Sequence, residues 1–374
     1  METSITILYS ILHLLVDGIC AFAMFDRFLP SGNLPVSFLL YNFCAFALQM
    51  PFGATLDIIQ KKKKYSNIAL VPCLTVVIGV LFTILGTLTH PAILGIGNAL
   101  FHIGGGVGTI QADHANHWRG KGLGVFVAPG ALGLYLGTLA AKNEILQYWL
   151  LIASIIMILC CILAIFKCKK ATTIEEYISI FKCKKATTIE EYISIHQKSD
   201  IATKQQNYSY RKNSILYLAL CCLLVVILRS YLGIAVIFPW KTSVLSGFFA
   251  VLSIVLGKMA GGFLAARYGI LRTSVASLLL AAIAYFFSVT MPFGLAALLL
   301  FNMTMPITLY LMVCRFPKMP GFAFGFLTFG LFVGFLPEFF GLTTVANGHL
   351  IGCIGSIFSL LLLWAGIYFE SHST

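Results

Sequence analysis

The sequence predicts an all-α polytopic membrane protein, with twelve transmembrane helices in two pseudo-symmetric six-helix bundles. Three observations predict it. Of 374 residues, 59% belong to the hydrophobic set and only 10% are charged, with a mean hydropathy of +0.93, too little polar surface for a water-soluble chain. The apolar runs are about 20 residues long and do not alternate with polar ones, which selects spanning helices over a closed β-barrel. The runs also fall into two sets of six, separated by one polar stretch.

The first set is drawn at 4–26, 34–59, 66–88, 91–112, 120–141 and 145–166, and the second at 214–238, 243–266, 270–289, 291–314, 320–343 and 348–369. This gives an N-terminal bundle over 1–166, a cytoplasmic linker over 167–213 and a C-terminal bundle over 214–374. The loops after the even-numbered spans carry twenty of the twenty-five basic residues, among them Lys61 to Lys64, Arg119, Lys121, Arg267, Arg272, Arg315 and Lys318. The opposite side has only Arg27, Lys142 and Lys241. Both termini are therefore expected in the cytoplasm. The net charge of +12 follows from this placement beside the lipid bilayer and calls for no nucleic-acid partner.

The linker holds FKCKKATTIEEYISI at 166–180 and an identical copy at 181–195, either a recent duplication or an artefact of sequence assembly. The first copy is expected to continue or flank the sixth helix and the second to form a cytoplasmic helix. Most of the eleven cysteines lie in apolar runs without zinc-like or redox spacing, so packing is the expected role. The first apolar run contains His13 and Asp17 and lacks a small-residue cleavage site, so no cleavable signal peptide is expected.

GATLD stands at 53–57, before four lysines, and GGFLAARYGILR at 261–272. Gly53 permits close backbone approach, and Asp57 offers an acceptor near helix termini and basic residues. This pair, six spans apart, resembles the signature of the major facilitator superfamily, repeated in its two halves. The second copy has Ala266 where that family often has an acidic residue, but keeps Arg267, Gly269 and Arg272. The resemblance implies that Gly53, Asp57 and Arg267 latch the cytoplasmic side in one conformation. For Lys61 to Lys64, holding the loop inside is the plainer reading. A second echo matches GKGLGVFVAPGALG at 120–133 with GFAFGFLTFGLFVG at 321–334. The family carries solutes between such halves by alternating access.

Pro129 and Gly130, with Ala128 and Gly133, partly resemble the fifth-span pattern of family antiporters. His102 stands in span four, which lacks the arginine of many drug–proton antiporters, and this counts against a standard multidrug exporter. LHLLVDG at 12–18 and LFHIGGGVG at 100–108 are similar to the histidine elements of the fosmidomycin-resistance-type efflux branch. Ile103 and glycines replace that branch's usual proline and acidic residue.

His13 and Asp17 are four apart on one helical face near mid-bilayer, and His102 lies at similar depth. An isolated carboxylate there must be paired, protonated or wet. The three residues read as a proton-responsive site, as a structural hydrogen-bond network, or as direct substrate contacts. Arg229 and Glu338 lie at matching depth in the second half. Arg229 suits an anionic solute, an ion pair with Glu338 or Asp17, or snorkelling, while Lys258 is expected to snorkel toward the cytoplasm. Asn42, Gln49, Asn98 and Asn302 are candidates for lining a substrate cavity or for bundle packing. Asp113, His114 and His117, beside Arg119 at a wet helix end, read as a cap or gate contact in preference to a metal cluster.

Together these readings imply a secondary transporter that moves a small organic solute, coupled to protons, with export implied by the branch likeness. No enzyme activity, cofactor or metal is expected, and the chain is expected to work as a monomer in a bacterial cytoplasmic (inner) membrane. A solute importer or uniporter without proton coupling, and a transport-inactive sensor or scaffold, are the alternatives.

Overall fold

The computed structural model describes residues 2–28, 34–62, 69–142, 148–170, 201–342 and 348–371, and among them there is no strand. Eleven helices are long and apolar enough to cross a membrane. They are spans 1 (Thr3–Phe28), 2 (Val36–Lys61), 3 (Leu70–Leu88), 4 (Pro91–Ala115), 5 (Lys121–Ala141), 6 (Leu150–Cys168), 7 (Asn213–Ala235), 8 (Val244–Tyr268), 10 (Met291–Arg315), 11 (Pro320–Phe339) and 12 (Gly348–Ser371). The remaining apolar helix, Ile270–Phe286, completes the twelve as span 9. It stops short of the expected 289 because the chain turns through Phe287 and Ser288 to let Pro292 open the next helix. The helix of span 7 begins at Ile201, inside the expected linker, and ends at Ala235. Only residues 166–170 of the repeat are described, as the end of the span 6 helix. The second copy lies outside the described residues.

The two halves pack alike. Span 1 lies against spans 5 and 6 and span 3 against spans 4 and 6, as span 7 lies against spans 11 and 12 and span 9 against spans 10 and 12. The halves meet where span 2 packs on span 11 and span 5 on span 8. The glycine echo lies on these crossings. A methyl on Gly124 would stand 3.0 Å from the Lys258 carbonyl of span 8, and one on Gly325 would meet the backbone of Gln49 and Met50 in span 2. Gly133 and Gly334 make the matching crossings inside each half, against the backbones of spans 1 and 7. Small residues at these points let helices touch backbone to backbone. Spans 3, 6, 9 and 12 turn outward rows of exposed large apolar side chains, among them Leu81, Ile155, Leu280 and Phe358, a surface suited to lipid.

Candidate functional site

The buried centre of the N-terminal half gathers His13 and Asp17 from span 1 with Asn98 and His102 from span 4. His13 Nε2 lies 3.2 Å from Asp17 Oδ2, and His102 Nε2 lies 2.9 Å from His13 Nε2 and 3.7 Å from Asp17 Oδ1. Asn98 Nδ2 donates to Asp17 Oδ1 at 3.0 Å. Phe101 and Phe126 wall the pair, with ring centroids 6.0 and 4.9 Å from that of His13.

The proton positions follow from the acceptors. His13 Nδ1 is 2.7 Å from the Phe126 carbonyl, and His102 Nδ1 is 2.9 Å from the Asn98 carbonyl. A carbonyl only accepts, so both Nδ1 atoms are assigned the hydrogen, and in a neutral ring Nε2 then carries only a lone pair. Two such lone pairs at 2.9 Å repel unless one proton sits between them, and an imidazolium formed there faces the Asp17 carboxylate. The ligand atoms of His13, Asp17 and His102 lie within 4.8 Å of one another, close enough for a metal ion as well. The nitrogen–nitrogen spacing is that of an N–H···N hydrogen bond; two ligands about 2.1 Å from a tetrahedral metal stand farther apart.

Span 5 builds the other wall. Pro129 has no N–H for the Val125 carbonyl, and the helix is interrupted at Ala128 between Lys121–Val127 and Pro129–Ala141. Three successive carbonyls at this break accept side chains. Ser10 Oγ, which donates to Thr6 O at 2.8 Å in its own helix, shares that hydrogen with Val125 O at 3.2 Å, while His13 Nδ1 donates to Phe126 O and Lys258 Nζ to Val127 O at 3.2 Å. Gly130 leaves room beside them, since a methyl there would lie 2.5 Å from Asp17 Oδ2 and run into His13 Nε2. Lys258 therefore crosses from span 8 to the other half, and the expectation that it snorkels outward is overturned. The Val127 carbonyl, at the break in span 5, gives its ammonium a partner at the interface.

At the basic end, Asp57 receives the backbone N–H groups of Gly321 at 2.9 Å and Phe322 at 2.8 Å. It caps the N-terminus of span 11 from across the interface, and Gly53 lies directly against the backbone of Gly321. The corresponding N-terminus of span 5 is capped from within its own half: Asp113 receives Gly120 N and Gly122 N, each at 2.7 Å. Ala266 thus has no carboxylate to offer and span 5 needs none. Arg119 and Arg267 are exposed, the latter 5.2 Å over the neighbouring Tyr268 ring.

The remaining polar candidates do not join the cluster. Asn42, Gln49 and Asn302 each donate to a carbonyl one turn back in their own helix. Glu338 is exposed. Among the described residues no ion pair joins Arg229 to Glu338 or to Asp17 in this conformation, and Arg229 Nη1 is buried without a partner. Ser10, Phe126, Val127 and Lys258 complete the site without having been singled out for it. Ser10 lies on the same helical face, one turn before His13 and two before Asp17.

No family model matches the sequence, and no curated protein does. Solved structures match over nearly their whole length. The human organic anion transporter MFSD10 (TETRAN) is 16% identical with a TM-score of 0.57, over 98% of this chain and 99% of that one. A double-tryptophan variant of XylE is 12% identical with a TM-score of 0.63, over 100% and 99%. The E. coli fucose:proton symporter FucP is 10% identical with a TM-score of 0.52, over 97% and 98%. Full coverage at such low identity speaks for architecture, and the twelve-helix chain has the fold of the major facilitator transporters.

Proposed function

We propose that this protein is a secondary transporter working by alternating access, and that one proton held among His13, His102 and Asp17 is its coupling ion. The observation that carries this reading is the 2.9 Å approach of two imidazole Nε2 atoms whose Nδ1 atoms are both committed to carbonyls. In this geometry the cluster is proton-loaded. Removing the proton leaves two facing lone pairs beside a buried carboxylate, and spans 1 and 4 must then separate or admit water.

That movement reaches the interface through span 5. His13 holds the Phe126 carbonyl and Lys258 holds the next one, so a shift of His13 disturbs the contact that ties span 8 to span 5. The Asp57 cap on span 11 closes the other crossing at the basic end, which this reading assigns to the cytoplasm. Proton loading and solute loading then bias one equilibrium between the two accesses.

The test is transport in proteoliposomes under an imposed pH gradient with the voltage clamped at zero. Proton-driven accumulation is expected in the wild type. Asp17→Asn is expected to abolish it while solute counterflow persists. Accumulation by Asp17→Asn equal to wild type at equal protein abundance refutes the proton site.

A further inference from the structure

We infer that Arg229 and Lys258 form a binding site for a small organic oxyanion, a carboxylate or phosphate ester, which loads together with the proton. The inference rests on the proton reading above only for the joint loading; the anion site stands on its own geometry.

Two atoms of charged side chains are buried without a hydrogen-bond partner among the described residues, Arg229 Nη1 and Arg315 Nε. Arg315 is ion-paired with Glu370, to which its Nη2 donates at 2.6 Å. Among the described residues no carboxylate pairs with Arg229. A permanently charged guanidinium left unpaired in low dielectric costs several kcal/mol, and its planar fork of donors matches an oxyanion. Lys258 lies within electrostatic reach of both Arg229 and Asp17. Among the described residues its ammonium donates to a neutral carbonyl, at Val127, so neither cation has a carboxylate partner there.

The titratable and charged groups around Asp17 are His13 and Cys20 on its own span, Tyr41 on span 2, His102 on span 4 and Lys258 on span 8. In the geometry described above, the cluster's proton offsets the Asp17 charge. Arg229 and Lys258 then remain uncompensated, and an anion between them supplies the missing negative charge. An anion there and a proton on the cluster attract one another, so each tightens the other's binding. Ligands that favour each other travel together. The sign is therefore cotransport, and an inward proton gradient drives uptake, opposite to the export that the branch likeness implies.

The test uses the purified full chain in detergent with four probes, lactate, succinate, inorganic phosphate and glucose 6-phosphate. Lactamide, succinamide and glucose are the neutral controls. Thermal stability and proton uptake from weakly buffered solution are read together. At least one anion is expected to raise Tm when its neutral control does not, and to draw protons onto the protein as it binds. Arg229→Gln removes a charge that has no partner to lose, so it is expected to fold and to lose the anion response at least tenfold, with Arg229→Lys restoring part of it. Stabilisation by no anion beyond the neutral controls, or an undiminished response in Arg229→Gln, overturns the site. Proton release on anion binding overturns the joint loading. Arg229-dependent stabilisation without proton movement at any pH across the cluster's titration keeps the site and overturns the joint loading, whereas proton-coupled flux of neutral solutes alone keeps the proton reading and overturns the site.

Discussion

Asp57→Asn removes a contact whose size can be worked from the structure. The carboxylate receives two amides at 2.9 and 2.8 Å across the interface of spans 2 and 11. A hydrogen bond to a charged group contributes about 1.5–3 kcal/mol. Asparagine keeps one acceptor oxygen, so one bond is lost together with the charge facing a helix N-terminus, itself worth about 0.3–1 kcal/mol. The expected total is about 2–4 kcal/mol, a shift of roughly 30- to 1,000-fold toward the state in which the basic end is open. At the lower bound, a basic end open in about 1% of molecules becomes open in about a quarter. Double electron–electron resonance between spin labels at the exposed positions 61 and 318, in a cysteine-depleted background, reads this directly. The wild type is expected to give one short distance and Asp57→Asn a second, longer one. An unchanged distance distribution would refute the latch.

Three further outcomes follow from the wall that span 5 presents. Gly130→Ala places a methyl against His13 and Asp17 and is expected to part them, weakening proton binding by roughly tenfold or more and cutting proton-driven flux; wild-type flux with folded protein contradicts the packing argument. Pro129→Ala restores an N–H to the Val125 carbonyl and draws the break straight, so the carbonyls that hold His13 and Lys258 turn back into the helix. Flux is expected to fall with no loss of Tm, and unchanged flux counts against the break as a positioning device. Ser10→Ala removes the hydroxyl shared between the Thr6 and Val125 carbonyls and is expected to cost about 0.5–1.5 kcal/mol, measured as a lower Tm.

The fold was largely legible because apolar run length, basic loops and glycine spacing are direct consequences of a bilayer and of close helix contact. The two glycine series at 120–133 and 321–334 mark helix crossings that the structure repeats in both halves. The spacing of His13 and Asp17 on one face, with Asn98 one turn from His102, was legible for the same reason. What was hidden belongs to backbone and register. Residue types do not say that three consecutive carbonyls of span 5 become acceptors, although Pro129 hinted that one would. Nor do they say which way a long side chain turns, and Lys258 turns inward because Val127 offers it an oxygen. The depth match of Arg229 and Glu338 was real in sequence but brings no ion pair between the two in this conformation, where Glu338 is exposed near the end of span 11.

The claim at the centre is that one proton bridges His13 and His102 beside Asp17. Nitrogen-15 spectroscopy of the histidine-labelled protein, assigned with His13→Gln and His102→Gln, tests it most directly. The account predicts that both rings carry hydrogen on Nδ1, that one further proton is shared between the two Nε2 atoms, and that Asp17→Asn releases the shared proton. Two independent neutral rings, either of them with its hydrogen on Nε2 and a bare Nδ1, would contradict it.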